Sequence, residues 1–361
     1  MLGNNYAPEF FNGIPDKSGD PLKRICEETL EDLEGFKRIL QDFGVKVIQP
    51  DMDRSERFID NPNTKPRGPL QPRDKQLVIG NTCFIEDTDH PAIAKALVEY
   101  CESNTIFNRD LQLPKFKYEE IACFESGDWP IYDDYIGGSE LQDFVKQEIN
   151  AINFNPLPIS SATAFYFDDR LLVGRSSISF PNKADQISIQ ETIKRYTNLT
   201  VNVELAAMEG HTDGNYHPIK PGAILSLLDV QNYSETFPGW DICYLPDQSW
   251  EKVSKWLSLK RKNQGKWWLA DEEDNDEFTH FVETWLQDWV GYVEETVFDV
   301  NVLMLDEHHC CVSNPNNEQV NTFLKKHNVE PVYVPWRHRF FWDGGLHCIT
   351  LDLHRERKNK C

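Results

Sequence analysis

A chain of 361 residues with 40% hydrophobic and 12% aromatic side chains can fill one large core or two, which excludes a small scaffold that must be stapled to fold. Its 59 acidic residues outnumber 37 basic ones, for a net charge of −22. Such a surface repels phosphate and anionic lipid, arguing against nucleic-acid and membrane partners; it favours a cationic ligand, or serves solubility alone.

Residues 1–20, rich in Gly, Asn and Pro, read as an extended arm. Asp20-Pro21 then opens a helical pattern through Phe43, with Leu30, Leu33, Phe36 and Leu40 at helical spacing and Gly44 as its stop. Val45–Ile48 is a short strand candidate, and Asp51–Arg73 has the composition of a long irregular loop. Strands and helices interleave from there. Expected are a strand at Gln76–Ile79, a helix near Ala92–Glu102, a strand at Asn104–Phe107, a helix near Gly138–Ile149 and a hairpin over Ala164–Val173 turning at Asp168-Asp169. A helix near Ala184–Tyr196 follows, then strands at Val201–Leu205, Ala223–Leu228 and Asp241–Leu245. The last quarter reads as a strand Asn301–Leu305, its hairpin mate His309–Ser313, a helix Asn317–His327, and strands at Pro331–Val334 and His347–Leu353. Short alternating units of this kind imply a mixed α/β architecture. Trp256–Thr296 breaks the rhythm: Phe281, Trp285, Trp289 and Val293 fall at four-residue steps, the pattern of an added helix packing on the body, a lid or a partner surface.

Nine Cys, an odd number with no CxxC pair, fit free thiols in a reducing compartment. With no signal-like start and no window of 18 apolar residues, the expectation is a soluble, cytoplasmic protein. The phosphate-cradling GxGxxG and GxxxxGK[ST] patterns of nucleotide folds are absent from the sequence.

Two segments carry candidate chemistry. Gly344-Gly345-Leu346-His347-Cys348 runs from a glycine pair into an apolar stretch, so the thiol is expected at a strand mouth beside backbone N–H groups and His347, where its pKa can fall; the alternative is a buried core cysteine. In Glu209–Pro218, an extended chain points His211 and Asp213 to one face, giving a proton shuttle and a complement to a cation; a polar turn with satisfied side chains is the alternative. Metal sets can be drawn from His211, Asp213 and His217, or from His308, His309, Cys310 and Cys311 with Cys348. Neither has a recognised zinc spacing, and no metal or cofactor is expected.

The run Asn301–Glu307, followed after a helix by Gly344–Leu353, resembles the amidinotransferases of the pentein superfamily, the group that includes glycine and inosamine-phosphate amidinotransferases. Pro72-Arg73-Asp74 leading into Leu77–Asn81, and His211-Thr212-Asp213 leading into Ile219–Leu225, extend the resemblance over roughly residues 70–357. The resemblance implies a five-bladed α/β propeller of pseudo-fivefold ββαβ repeats spanning 71–361, expanded at 256–296. An N-terminal arm and helix over 1–70 would pack on it. It implies Cys348 as nucleophile, His211 as general acid/base, Asp213 as a guanidinium-binding carboxylate, and Glu120, after Pro114-Lys115, as a second. The implied reaction moves the amidino group of L-arginine to an acceptor amine through an amidino-cysteine, releasing ornithine. The partners are thus a small guanidino donor and an amine, without cofactor, and a homodimer is the expected assembly. One departure stands out. Family members carry an Asp before the hairpin that orients the catalytic His, whereas Ile159–Ala164 here holds no carboxylate. Either Ser160, Asp168 or Asp169 compensates, or the protein is a guanidine-modifying hydrolase of deiminase or dihydrolase type, or a silent guanidinium-binding or interaction protein.

Overall fold

The computed structural model describes residues 1–60, 62, 66–80, 82–85, 90–103, 161–167, 169–175, 183–207, 211–227, 236–245, 268–272, 274–287, 289–290 and 297–355. The expected elements at Asn104–Phe107 and Gly138–Ile149 lie outside them, as do Glu120, Ser160 and Asp168.

The described strands form four small sheets. The hairpin β1 (Gln76–Ile79) and β2 (Thr82–Ile85) is followed by α2 (Pro91–Ser103). The other three repeat one plan, an antiparallel pair whose second strand takes a parallel third. β3 (Ala164–Phe167) pairs β4 (Arg170–Arg175), which pairs β5 (Asn202–Ala207) across α3 (Lys183–Thr197). β6 (Tyr216–Lys220), β7 (Ala223–Leu227) and β8 (Asp241–Leu245) do the same. So do β9 (Leu303–Met304), β10 (His309–Val312) and β11 (Glu330–Tyr333), with α7 (Glu318–Lys326) as the crossover. A parallel neighbour needs a crossover connection, and of these strands Ala223–Leu227, a largely apolar run, is buried throughout. Asn317 caps α7 by accepting the Val320 N–H at 3.1 Å.

The helix α1 (Asp16–Asp42) starts a turn earlier than expected, leaving Pro21 inside it. A tertiary contact takes up the carbonyl that Pro21, with no N–H, leaves without its helical donor: Asn275 Nδ2 donates to Lys17 O at 2.7 Å, and Ser18 Oγ donates to the Glu277 carbonyl at 3.0 Å beside it. Leu22, Ile25, Leu33, Phe36 and Leu40 form its buried stripe, sharing one core with Phe278, Trp289 and Trp342; each such side chain contributes about 1.5–3 kcal/mol by leaving water. The four-residue aromatic stripe is not one helix face. The helix α5 (Asp276–Trp285) ends at Leu286, leaving Trp285 41% exposed while Trp289 turns inward to stack near Phe10 and Trp342.

Two expected strands are absent. Val45–Ile48 is extended but joins no sheet, its link to the N-terminus being the Leu2 N–H donated to Ile48 O at 2.9 Å. His347–Leu353 coils instead, because Ile349 N–H turns back to Gly345 O at 3.2 Å and Thr350 N–H to His347 O at 3.1 Å. This coil is backed by the start of the chain, where Leu2 bridges Thr350 and Gly3 N–H donates to Ile349 O at 2.8 Å. Gly3 can lie there because a Cβ would collide with the Leu70 carbonyl.

Candidate active site

The nucleophile candidate sits where three chain segments meet. Asp343 adopts a left-handed conformation (φ 50°) after the short helix α8 (Arg339–Trp342) and turns the chain into Gly344-Gly345. Both glycines are sterically required. A Cβ on Gly344 would strike the Gln71 amide, which donates to Trp342 O and Asp343 O, and one on Gly345 would lie 2.6 Å from Asn301. Arg73 then ties down the coil, its Nε donating to His347 O at 3.1 Å and Thr350 O at 2.8 Å while Nη2 reaches Asp352 at 3.3 Å.

Asp213 comes from the short helix that runs into β6 and meets this turn directly. Its Oδ2 accepts from His347 Nδ1 at 2.7 Å and from Cys348 Sγ at 3.4 Å, all three residues being buried. A carboxylate only accepts, so His347 carries its proton on Nδ1. Burial alone would raise Asp213, but the His347 hydrogen bond and the nearby positive groups hold it far below the usual carboxylate range. Burial, with Arg73, pushes His347 down, so its imidazole is neutral at neutral pH. Phe165 stacks on the His347 ring at 5.1 Å, and His217 on β6 meets both rings edge-on. Burial drives the His217 pKa well down as well, and its Nδ1 has no hydrogen-bond partner among the described residues.

His211 is the outer member. It is the N-terminal flanking residue of the short helix α4 (Thr212–Asn215), so it and Asp213 are not on one face of an extended chain as expected: Asp213 turns inward and His211 keeps its side chain about half exposed. Its Nδ1 lies 3.9 Å from Asp74 Oδ1. Burial pulls the ring's pKa down, but Asp74, Asp213 and Asp343 outweigh both that and Arg67 and leave it raised. Asp74 and Asp213 act on the Cys348 sulfur too. With burial as the largest cause they push the thiol well up, only partly countered by the Gly345 backbone and the Asn301 amide. The thiol pKa is therefore raised, the reverse of the expected fall.

Asp169 stays at the exposed end of the β3–β4 hairpin, its carbonyl accepting from Asn202 N–H at 2.7 Å. Among the described residues, the carboxylate within 4 Å of His211 is Asp74, known from the sequence only as part of the Pro72-Arg73-Asp74 run. Asn301 likewise lay unremarked inside a quoted run, and His347 was placed beside the thiol without a role of its own. Cys310 and Cys311 face opposite cores, and among the described residues no group of three or more His, Cys, Asp or Glu is gathered for a metal ion. No described helix is long and apolar enough to cross a membrane.

No family model matches the chain. In sequence it is similar to the L-arginine:L-lysine amidinotransferase of Pseudomonas savastanoi pv. phaseolicola, 23% identical over 367 residues that cover 95% of this chain and 83% of that protein. Among solved structures it is similar to the inosamine-phosphate amidinotransferase of Streptomyces griseus (17% identical, 96% of this chain and 83% of that one, TM-score 0.58). It is also similar to an amidinotransferase of Microseira wollei from the saxitoxin biosynthetic pathway (17% identical, 93% and 85%, TM-score 0.54). Over nearly its whole length, then, the chain resembles the amidinotransferases of the pentein superfamily and shares their mixed α/β fold.

Proposed function

We propose that the protein is an amidinotransferase that takes the amidino group from L-arginine and passes it to an acceptor amine through a covalent intermediate on Cys348. The observation that carries this reading is the contact of the Cys348 sulfur with the Asp213 carboxylate at 3.4 Å, in a buried site that the Asp74 carboxylate also influences. Two carboxylates around a thiol are a poor place for a thiolate and a good place for a planar cation. An arriving guanidinium neutralises their field, so the sulfur loses its proton when the electrophile is in place.

The thiol proton passes to the His211 ring. The thiolate attacks the guanidinium carbon, forming a C–S bond; the imidazolium of His211 protonates the departing nitrogen, the C–N bond breaks and ornithine leaves. The acceptor amine then gives a proton to His211 and attacks the amidino carbon, and the C–S bond breaks to restore the thiolate. A raised His211 pKa suits the first half, since it makes the neutral ring a stronger base toward the thiol. Sulfur carries the group, and the acceptor site decides between transfer and hydrolysis. In this reading the four described sheets are blades of a five-bladed propeller, with residues 1–70 as an arm and helix backing 71–361.

The test is incubation with guanidino-labelled arginine and a panel of primary amines, lysine first because of the relative's name, with wild type and Cys348→Ala. Label moving to the amine with equimolar ornithine supports the reading. Citrulline formed without an amine makes the protein a hydrolase, and binding of arginine without ornithine or citrulline makes it a silent binder.

A further inference from the structure

We infer that Asn301 is the residue that positions Cys348 and sets the reactivity of its sulfur. Asn301 is buried, 2% exposed, between the short helix α6 (Val297–Val300) and β9. Its Oδ1 accepts two successive backbone N–H groups, from His347 at 2.8 Å and Cys348 at 3.1 Å. The two hydrogens of Nδ2 go to the Asp213 carbonyl at 3.1 Å and to Cys348 Sγ at 3.1 Å. Both hydrogens and both lone pairs of the amide are thus engaged, and one side chain joins the nucleophile turn, the carboxylate-bearing segment and β9.

The chemistry at sulfur follows from the two groups facing it. Asp213 accepts from the thiol and opposes the thiolate, whereas an amide N–H donates equally to either form and binds the anion more strongly. Asn301 therefore counters the carboxylate without adding charge, leaving the guanidinium's ionic partner intact. The bare glycine at 345 belongs to the same device: a Cβ there would lie 2.6 Å from both Cβ and Oδ1 of Asn301 and would push the amide off the sulfur. An aspartate at 301 keeps the acceptor for the two N–H groups but has no hydrogen to give to sulfur.

This inference rests on Cys348 as the reactive thiol, but its test needs neither arginine nor turnover, so a protein without transferase activity still answers it. The probe is iodoacetamide, with alkylation of Cys348 followed against pH by peptide mass and Cys348→Ala as background. In folded Asn301→Asp the alkylation midpoint should rise by about one pH unit or more, slowing the reaction about tenfold at neutral pH, the shift expected for losing a hydrogen bond to a charged group. Gly345→Ala should move it in the same direction. An unchanged midpoint in whichever of the two folds overturns the inference. In the wild type, the His347 and Cys348 amides should exchange slowly with solvent hydrogen; fast exchange at both overturns it without any variant.

Discussion

Asp213→Asn separates two roles that most substitutions would remove together. The amide has the carboxylate's shape, so an oxygen in the place of Oδ2 can still accept from both His347 Nδ1 and Cys348 Sγ while the charge is gone. A full negative charge 3.4 Å from a thiolate opposes it by about 5 kcal/mol at an effective dielectric constant of about 20, equivalent to about three and a half pH units. That figure is a ceiling, because the charge is shared by two oxygens; a fall of one unit or more in the alkylation midpoint of Cys348 is the criterion. Turnover should move the other way. Losing the charged partner of a bound guanidinium costs about 1.5–3 kcal/mol, or roughly a 10- to 150-fold drop in kcat/KM for arginine. The variant should thus be quicker with iodoacetamide and slower with arginine. A midpoint that stays put or climbs would refute the argument that the Asp213 charge holds the Cys348 thiol protonated.

Asp74→Asn removes a charge that raises both His211 and Cys348, so both limbs of the kcat/KM profile, and the whole bell, should move to lower pH; a shift of one limb alone would show that Asp74 reaches only one of the two. His217 is held neutral by burial, its folded pKa lying below the unfolded value. The unfolded chain therefore binds the extra proton first, and the stability it contributes is complete above the ordinary imidazole pKa and lost as pH falls below it, by up to about 1.4 kcal/mol per pH unit. His217→Phe should flatten that loss between pH 6.5 and 5.5 in urea titrations, and an equal slope in both proteins would show that this histidine does not titrate between the two states.

Local signals made much of the fold legible. The hairpin expected over Ala164–Val173 is the β3–β4 pair, and the helix expected over Asn317–His327 is α7. Short apolar runs were less informative, since the same composition serves strand and coil. The segment after Cys348 looked like a strand but coils because Gly345 O and Thr350 Oγ1 take bonds within the turn, Oγ1 donating to His347 O at 3.0 Å. His211 and Asp213 were found as a pair, but their geometry was not. A four-residue helix rotates one inward and the other outward, and nothing in the sequence marks a helix that short. The direction of the thiol's pKa was beyond sequence reading for a plainer reason: it is set by burial and by Asp213 and Asp74, which lie 135 and 274 positions away along the chain. The site rests on Asn301 for the same reason, because its four bonds run to segments remote in sequence.

The covalent step is open to direct observation. Wild-type protein mixed with guanidino-labelled arginine in the absence of an acceptor, quenched in acid and mapped by peptide mass, should carry one labelled amidino group on the peptide containing Cys348, with one ornithine released per group. Ornithine accumulating with no label on that peptide at any quench time, or label on a different residue, would contradict the account.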